Sequence, residues 1–570
     1  MARPLRALTG SDRDWFRTAP WLAVALFAAP LGTGLAGTVL PAFGWLPALG
    51  GGALTFEPWL RLWLAPELAG AVRLTLTTGV LGTLGALVLA ALFVVGLHAR
   101  PMFALLRPCL LPLLAIPHLT LAIGLAFLLA PSGWIARLLA IPAGWHRPPD
   151  LGTVNDPAGL ALALGLALKE APFLALVLLA AAAQVQAPRQ LAVARSLGYG
   201  PAEAWLKVVL PQIYPQLRLP LFAVLAYSLS VVDVAVVLGP ATPPPLAPLI
   251  LRWLNDPDLA LRFQAAAAAL LLALLMMAVL GVWHAAERAL ARGLRPWLAR
   301  GASPRSEPWL RIAGTIAAAA IAGLGLLALL ALLLWSFAGR WEFPALLPDA
   351  WSARPWLRVL PLLGGPLWST VWIATICALA ALVLVIACIE HEALAGRRPT
   401  HRVLALAYLP LLVPQLAFLF GFAVLLAYVR LDGTVLAVLW AHLVFVLPYT
   451  LLLLREPWLA LDPRFARTAH ALGKGELAVL FQVKLPILLR PVLTAAAIGL
   501  SVSTAQYLTT RFAGAGRVPT LATETLAMAS AGDRRSAAVG GLVLTLLPLT
   551  AIAIATGWPR LRARRRRGLP

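Results

Sequence analysis

Residues 188–211 read PRQLAVARSLGYGPAEAWLKVVLP, and residues 463–486 read PRFARTAHALGKGELAVLFQVKLP. The two segments align at an offset of 275 residues, which superposes a Leu-Gly pair, a second glycine and a final Leu-Pro pair. Both are polar and lie between long apolar stretches. The repetition indicates a duplicated unit. We expect the two copies to contact the same kind of partner.

The composition excludes an ordinary soluble protein. The chain has 570 residues, of which 61% are hydrophobic and 12% are charged, whereas soluble domains carry about 25% charged residues. Many apolar stretches reach the roughly 20 residues that a helix needs to cross a bilayer. We predict an all-α polytopic membrane protein with about twelve transmembrane helices, near residues 20–40, 69–97, 104–130, 158–183, 217–240, 263–283, 311–337, 367–390, 403–428, 433–454, 488–510 and 536–558.

The duplication extends into the apolar segments. LPLLAIPHLTLAIGLAF at 111–127 resembles LPLLVPQLAFLFGFAV at 409–424, which pairs Pro117 with Pro414. Two units with an even number of spans have parallel topology. We therefore predict two parallel six-helix repeats, with a first half at 1–283, a cytoplasmic linker at 284–310 and a second half at 311–570.

The positions of the charged residues that give the net charge of +23 indicate how the chain is oriented in the membrane. With the N-terminus inside, most basic side chains fall in cytoplasmic segments and the acidic ones lean outward, as the positive-inside rule requires. Both termini are therefore predicted to be cytoplasmic, and the tail RLRARRRR at 560–567 is expected to meet anionic lipid headgroups of the bilayer. This favours a lipid partner and no nucleic acid. The three cysteines form no CxxC or Cys/His cluster, so we predict no metal site.

Each polar copy predicts a helical hairpin. Gly198 is flexible and allows a short helix to turn, and Pro201 suits the first turn of a second short helix. On that helix Trp205, Val208 and Val209 offer an apolar face, and the residue before a proline disfavours helical geometry, so Leu210-Pro211 is predicted to end it. We expect two short helices along the cytoplasmic membrane surface that present an apolar plug for a groove on another protein.

The spacing A-x-x-x-G-x9-(I/V)-x-L-P in both copies resembles the EAA loop of ABC importer permeases. The resemblance implies that loops 188–215 and 463–490 hold coupling helices that sit in a groove of a cytoplasmic ATPase. The namesake glutamate is replaced by Ala192-Val193-Ala194 and Arg467-Thr468-Ala469. The implied ATPase-coupling residues are Ala194, Gly198, Trp205, Val208, Leu210, Pro211, Ala469, Gly473, Phe481, Val483, Leu485 and Pro486.

A fused pair of this kind is similar to the ferric-iron and thiamine permeases, in which one chain supplies both halves of the pore. The resemblance implies a homodimeric cytoplasmic ABC ATPase, a periplasmic solute-binding protein, alternating access, and a multi-pass location in the bacterial inner membrane. The chain has no GxxxxGK(S/T) phosphate loop. We therefore expect no catalytic residues and no cofactor in this chain, with Mg-ATP held by the partner ATPase.

Polar side chains inside the spans are candidates for a translocation path, because a central charge costs about 2.5–3.5 kcal/mol in a membrane. Hydrogen bonding between helices is the alternative interpretation for each of them, and His442 is a weaker candidate. Thr520 to Met528 are interpreted either as a short outer helix or as a simple connector. The path candidates are Glu170, Asp233, Gln506, His118 and Gln415.

Two other functions remain open at this point. A 6+6 secondary transporter would share the helix count and the parallel halves, and a membrane-integral transferase would need acids and histidines concentrated at one membrane face. The sequence does not decide the substrate. Ferric iron, thiamine, a polyamine and an oxyanion are all candidates, and a small organic solute is preferred.

Overall fold

The computed structural model describes residues 10–97, 100–301, 308–395 and 408–566. Each predicted span contains a helix within the described residues, and the predicted all-α membrane fold is confirmed. Residues 403–407 of the predicted span 403–428 lie outside the described residues. Within the described ranges, ten helices are long and apolar enough to cross a membrane, and a bent pair raises the number to eleven. The shorter helix Gln415–Tyr428 lies in the remaining predicted span.

We number the spans in chain order. The first six contain Gly10–Ala42, Leu68–Leu97, His118–Leu129, Leu160–Gln184, Leu210–Ser230 and Leu261–Gly293. The last six contain Gly325–Phe337, Arg354–Ala395, Gln415–Tyr428, Val435–Leu459, Leu489–Thr504 and Arg534–Arg566. Span 3 is preceded by the short helices Pro101–Leu106 and Leu110–Ala115, and span 7 by Pro308–Ala318 and the π-helical turn Ala319–Leu324.

The two predicted halves exchange their first helices. Span 1 packs against span 9, which is the third helix of the second half, and span 7 packs against span 3, which is the third helix of the first half. One hydrophobic core accordingly joins spans 2 to 5 with spans 7 and 12, and another joins spans 8 to 11 with span 1. Because lipid is as apolar as these side chains, such contacts depend on close packing between helices.

Small residues make the crossing of spans 1 and 9 possible. A Cβ placed on Gly37 would lie 2.8 Å from the Gly421 Cα, and one on Gly421 would lie 2.1 Å from the Gly34 carbonyl oxygen. The Gly421 N–H also donates to the Thr38 hydroxyl at 3.2 Å. The equivalent crossing of spans 7 and 3 uses Gly124, whose Cβ would lie 2.6 Å from the Ala328 carbonyl oxygen. Glycine is therefore required for contact between the backbones.

The connections after spans 4 and 10 lie at one end of the bundle, which we call the hairpin face. The connections after spans 5 and 11 lie at the opposite end, the far face, because successive spans alternate in direction. A two-stranded antiparallel ribbon, Trp45–Leu46 with Gly51–Gly52, and the helix Glu57–Leu64 follow span 1 at the far face.

Two short far-face helices are related by the repeat. Leu246–Leu254 follows span 5, after the short helix Asp233–Leu238, and Leu521–Ser530 follows span 11, after Leu508–Ala513. The Leu246 N–H donates to the Thr75 hydroxyl on span 2 at 2.8 Å, and the Leu521 N–H donates to the Thr370 hydroxyl on span 8 at 2.8 Å. Each threonine satisfies an otherwise unpaired amide at the start of a helix. Of the two interpretations of Thr520 to Met528, the structure has the helix, and its location outside the membrane stays a prediction.

The long loop of the first half, residues 131–157, contacts the second half. It contains the helix Trp134–Ala143, whose Arg137 is 3% exposed. The Arg137 guanidinium donates to the Glu342 carbonyl oxygen at 2.7 Å and lies 4.7 Å from the Trp341 ring centroid. The Trp134 indole N–H donates to the Leu346 carbonyl oxygen at 3.0 Å. Carbonyl acceptors and aromatic rings compensate a buried cation that would otherwise be costly.

The segment between the halves begins as helix. Span 6 continues to Gly293, beyond the predicted start of the linker at 284, and the helix Arg295–Ala299 follows. Residues 302–307 of the linker lie outside the described residues. The division into halves at 1–283 and 311–570 stays a prediction, as does the direction in which the termini face.

Replacing Gly37 or Gly421 with alanine is predicted to destabilise the protein by about 1–3 kcal/mol, the usual cost of overpacking a closed contact. The measurement is thermal unfolding of the detergent-purified protein. Gly32→Ala is the matched control, since Gly32 lies on the same helix and a Cβ there would meet nothing within 4 Å. Equal melting temperatures for the Gly37, Gly421 and Gly32 variants would contradict the proposed contact.

Candidate coupling hairpins and polar path

The first hairpin is built from the helix Ala187–Ser196 and the helix Pro201–Ala204. Gly198 between them has φ of +86°, which is left-handed backbone. Its N–H donates to the Arg195 carbonyl oxygen at 3.0 Å, and the Tyr199 N–H donates to that of Ala194 at 3.1 Å. Such bonds close a helix end at a left-handed residue, and glycine adopts this conformation without steric cost.

The second hairpin repeats this geometry with the helices Pro463–Ala471 and Glu476–Val479. Gly473 has φ of +78°, and its N–H donates to the His470 carbonyl oxygen at 2.9 Å. A Cβ at this position would meet nothing within 4 Å. Backbone conformation alone therefore requires glycine there. The turns predicted at both glycines are confirmed.

The apolar surface of the hairpins differs from the prediction. Trp205 is 4% exposed and Val209 is 0% exposed, so the prediction that they face outward is wrong. Both belong to the hydrophobic core of the bundle, because the helix that carries them packs along spans of its own half. Ala194 and Ala469 are likewise buried, at 3% and 7% exposure.

Two repeat-related positions on each hairpin are exposed instead. Leu197 and its counterpart Leu472 are 66% and 76% exposed, and Leu206 and its counterpart Phe481 are 44% and 63% exposed. Of the predicted coupling residues, Val208, Leu210, Val483 and Leu485 are partly buried, and Pro211 and Pro486 are exposed. The two hairpins thus present the same pair of apolar positions.

The prediction that the second short helix ends at Leu210-Pro211 is wrong, because the helix continues through these residues. A π-helical turn, Trp205–Val209, leads directly into the helix Leu210–Ser230. In the second copy the π-helical turn Leu480–Lys484 leads into Leu485–Ile487. A wide turn shifts the hydrogen-bond register, and a proline in the first turn that follows needs no N–H partner. The second copy then bends by 83° before span 11.

A buried ion pair lies beside each hairpin, at positions that the repeat does not relate. Lys207 Nζ lies 2.7 Å from the Glu203 carboxylate and donates to the Arg300 carbonyl oxygen at 2.9 Å. Lys484 Nζ lies 2.6 Å from the Glu390 carboxylate, which also accepts from the Trp458 indole at 2.7 Å. The first hairpin is thereby tied to the linker, and the second to spans 8 and 10.

A polar pair lies between spans 3 and 4. His118 Nε2 is 2.7 Å from the Glu170 carboxylate, and the His118 ring is 4.6 Å from the Tyr227 ring centroid. The adjacent Lys169 points elsewhere and donates to the Leu114 carbonyl oxygen at 2.8 Å. Lys169 and Glu170 therefore do not pair, as their position on one helix predicts.

Further polar residues surround this pair from both halves. Asp233 lies within electrostatic interaction distance of His118. Tyr449 on span 10 interacts electrostatically with Glu170, and Tyr507 after span 11 interacts electrostatically with Asp233. Of these tyrosines, Tyr227 and Tyr449 were not among the polar residues selected from the sequence, whereas Tyr507 was. Tyr227 lies six residues before Asp233 in the same stretch, and this proximity was the available signal.

The remaining candidates do not join the pair. Gln506 is buried and accepts a hydrogen bond from the Thr509 hydroxyl, and Gln415 is partly buried at the start of its helix. Neither contacts His118 or Glu170 within the part of the chain that the structure describes. His442 bonds through both ring nitrogens, to Ser503 at 2.8 Å and to Thr510 at 2.9 Å. It therefore holds spans 10 and 11 together.

Comparison with known proteins gives one match along nearly the whole chain. No family model matches. The chain is 32% identical over 534 residues to a protein named inner membrane ABC transporter permease protein YnjC, from Escherichia coli (strain K12), and the match covers 94% of each sequence. With this identity over this length, and with the all-α membrane fold described above, the chain belongs to the ABC transporter permeases.

Proposed function

We propose that this chain is the permease subunit of an ATP-driven importer and that a cytoplasmic ATPase binds it at both hairpins. The observation that carries the proposal is the matched exposure of Leu197 with Leu472 and of Leu206 with Phe481. Apolar side chains on a short helix outside the bilayer suit a groove on a partner protein. Membership of the ABC transporter permeases favours this function over a secondary transporter or a transferase.

A homodimeric ATPase fits the repeat best. Both hairpins close at a left-handed glycine and expose apolar residues at the same two positions. Two identical ATPase subunits can therefore each engage one hairpin, so that a single chain needs a single kind of partner. ATP and Mg²⁺ would be bound by that partner.

The proposed location is the bacterial inner membrane, with the hairpin face and both termini in the cytoplasm. The basic bias of the segments at this face supports the orientation. The far face would then meet a periplasmic protein that delivers the solute. ATP binding and hydrolysis would move the hairpins, and the bundle would open alternately to the two sides.

The proposed path runs between the halves past His118, Glu170 and Asp233. Polar side chains at membrane depth are costly and usually line a cavity or pair with one another. Tyr449 and Tyr507 bring the second half to the same region. A solute moving there would contact both halves, whose relative motion the ATPase controls.

Gly473→Ala is predicted to weaken ATPase coupling because an alanine in left-handed backbone costs about 1–2 kcal/mol. The measurement is the ATPase activity of the purified complex in lipid nanodiscs. Gly475→Ser is the control, since Gly475 has extended backbone with φ of −73° and ψ of 168°. If Gly473→Ala couples as well as Gly475→Ser, the hairpin geometry is not needed for coupling.

Phe481→Asp combined with Leu472→Asp is predicted to abolish capture of the ATPase without lowering thermal stability. Both side chains are more exposed than buried, so the folded bundle loses little when they are replaced. The measurement is co-purification of the ATPase with the tagged permease. Gln482→Asp places one negative charge on an exposed neighbour of Phe481 and should leave capture intact. Undiminished capture by the double variant would exclude these side chains as the contact.

A further inference from the structure

A polar cavity opens at the far face between the two halves. Its volume is about 310 Å³, at the lower end of the roughly 300–1,000 Å³ typical of small-molecule sites. Val236 and Asn255 line it from the first half, and Arg511, Glu524 and Ser530 line it from the second.

The repeat places this cavity on the axis that relates the halves. Val236 and Arg511 are equivalent at the offset of 275 residues, and so are Asn255 and Ser530. A cavity lined by both members of two equivalent pairs lies where the halves meet. Tyr507 also lines the cavity and lies within electrostatic interaction distance of Asp233.

The charges in the cavity are not required by the fold. In the first half the helix Leu246–Leu254 occupies the place of Leu521–Ser530, and there Leu249 stands where Glu524 stands in the second half. Val236 likewise stands in the place of Arg511. The same elements thus form with apolar residues at both positions, so a packing role does not account for the two charges.

The two charges are opposite, and they do not neutralise one another. Arg511 is exposed and Glu524 is partly buried. Within the described residues neither is in an ion pair, and the only hydrogen bond of the Arg511 guanidinium is a long one, 3.4 Å, to the Asn255 side chain. Gly516 leaves room for this guanidinium, since a Cβ there would lie 3.2 Å from Arg511 Nη1. A solute with one charge would satisfy one of these groups and leave the other unpaired.

We propose that this cavity is a solute site for small zwitterions, with Arg511 binding the anionic end and Glu524 the cationic end. A guanidinium suits a carboxylate because it donates two parallel hydrogen bonds, and an aromatic residue, Tyr507, also lines the cavity. The inference deepens the proposed function, because it assigns a substrate class to the path between the halves and rests on that path.

The test is equilibrium binding to the full-length permease in lipid nanodiscs. The probes are radiolabelled glycine betaine and L-glutamine, with choline as the matched single cation and 3,3-dimethylbutyrate as the matched single anion. We expect saturable binding of at least one zwitterion and weaker binding of both single-charge analogues. Glu524→Gln and Arg511→Gln should each weaken zwitterion binding about tenfold or more, the loss of one charge-assisted hydrogen bond.

The controls separate this inference from the proposed function. Arg340→Gln and Glu342→Gln remove an exposed ion pair at the same face and should leave zwitterion binding unchanged. ATPase capture should be normal in the Arg511 and Glu524 variants, because these residues are remote from the hairpins. Absence of saturable zwitterion binding, equal binding of choline or dimethylbutyrate, or unchanged binding by both cavity variants would overturn the zwitterion site. If ATPase capture persists in those cases, the proposed function still stands.

Discussion

The structure depends on close contact between the backbones of spans 1 and 9. Gly34, Gly37 and Gly421 leave no room for side chains where these helices cross. The crossing joins the first helix of one half to the third helix of the other, and Gly124 against Ala328 repeats it for spans 7 and 3. In a bilayer, where apolar side chains gain little by leaving lipid, such steric fit is a main source of helix association. The halves are therefore interlocked, and a polar region forms between them.

The repeat is carried by the backbone, while the chemistry differs between the halves. Both hairpins close at a left-handed glycine, and both far-face helices begin at a buried threonine hydroxyl. The ionisable residues of the proposed path, however, belong mainly to the first half, and the charges of the far-face cavity belong to the second. This division suits the proposed function, in which the partner binds both hairpins in the same way and one solute moves along one path.

Sequence patterns predicted what depends on local geometry. Span length and the turns at Gly198 and Gly473 follow from hydropathy and backbone preference. The segment after Thr520 stayed open between a helix and a connector, because a short helix depends on its tertiary contacts. The burial of Trp205 was not predictable in this way, since a tryptophan on a short polar-flanked helix suits either a partner or the core. The helix that continues through Leu210-Pro211 was missed because local proline rules do not include the preceding π-helical turn. Tyr449 was missed because its partner, Glu170, is in the other half.

The most direct test of the account asks whether both hairpins face the same partner at the same time. Leu197→Cys and Leu472→Cys would be introduced into a chain whose native cysteines, Cys109, Cys377 and Cys388, are replaced by alanine, and then cross-linked in inner-membrane vesicles that contain the ATPase. The account predicts that each cysteine cross-links to an ATPase subunit and that the double variant captures two subunits on one permease. Labelling of either cysteine by an impermeant reagent from the periplasmic side, or cross-linking through one hairpin only, would contradict it.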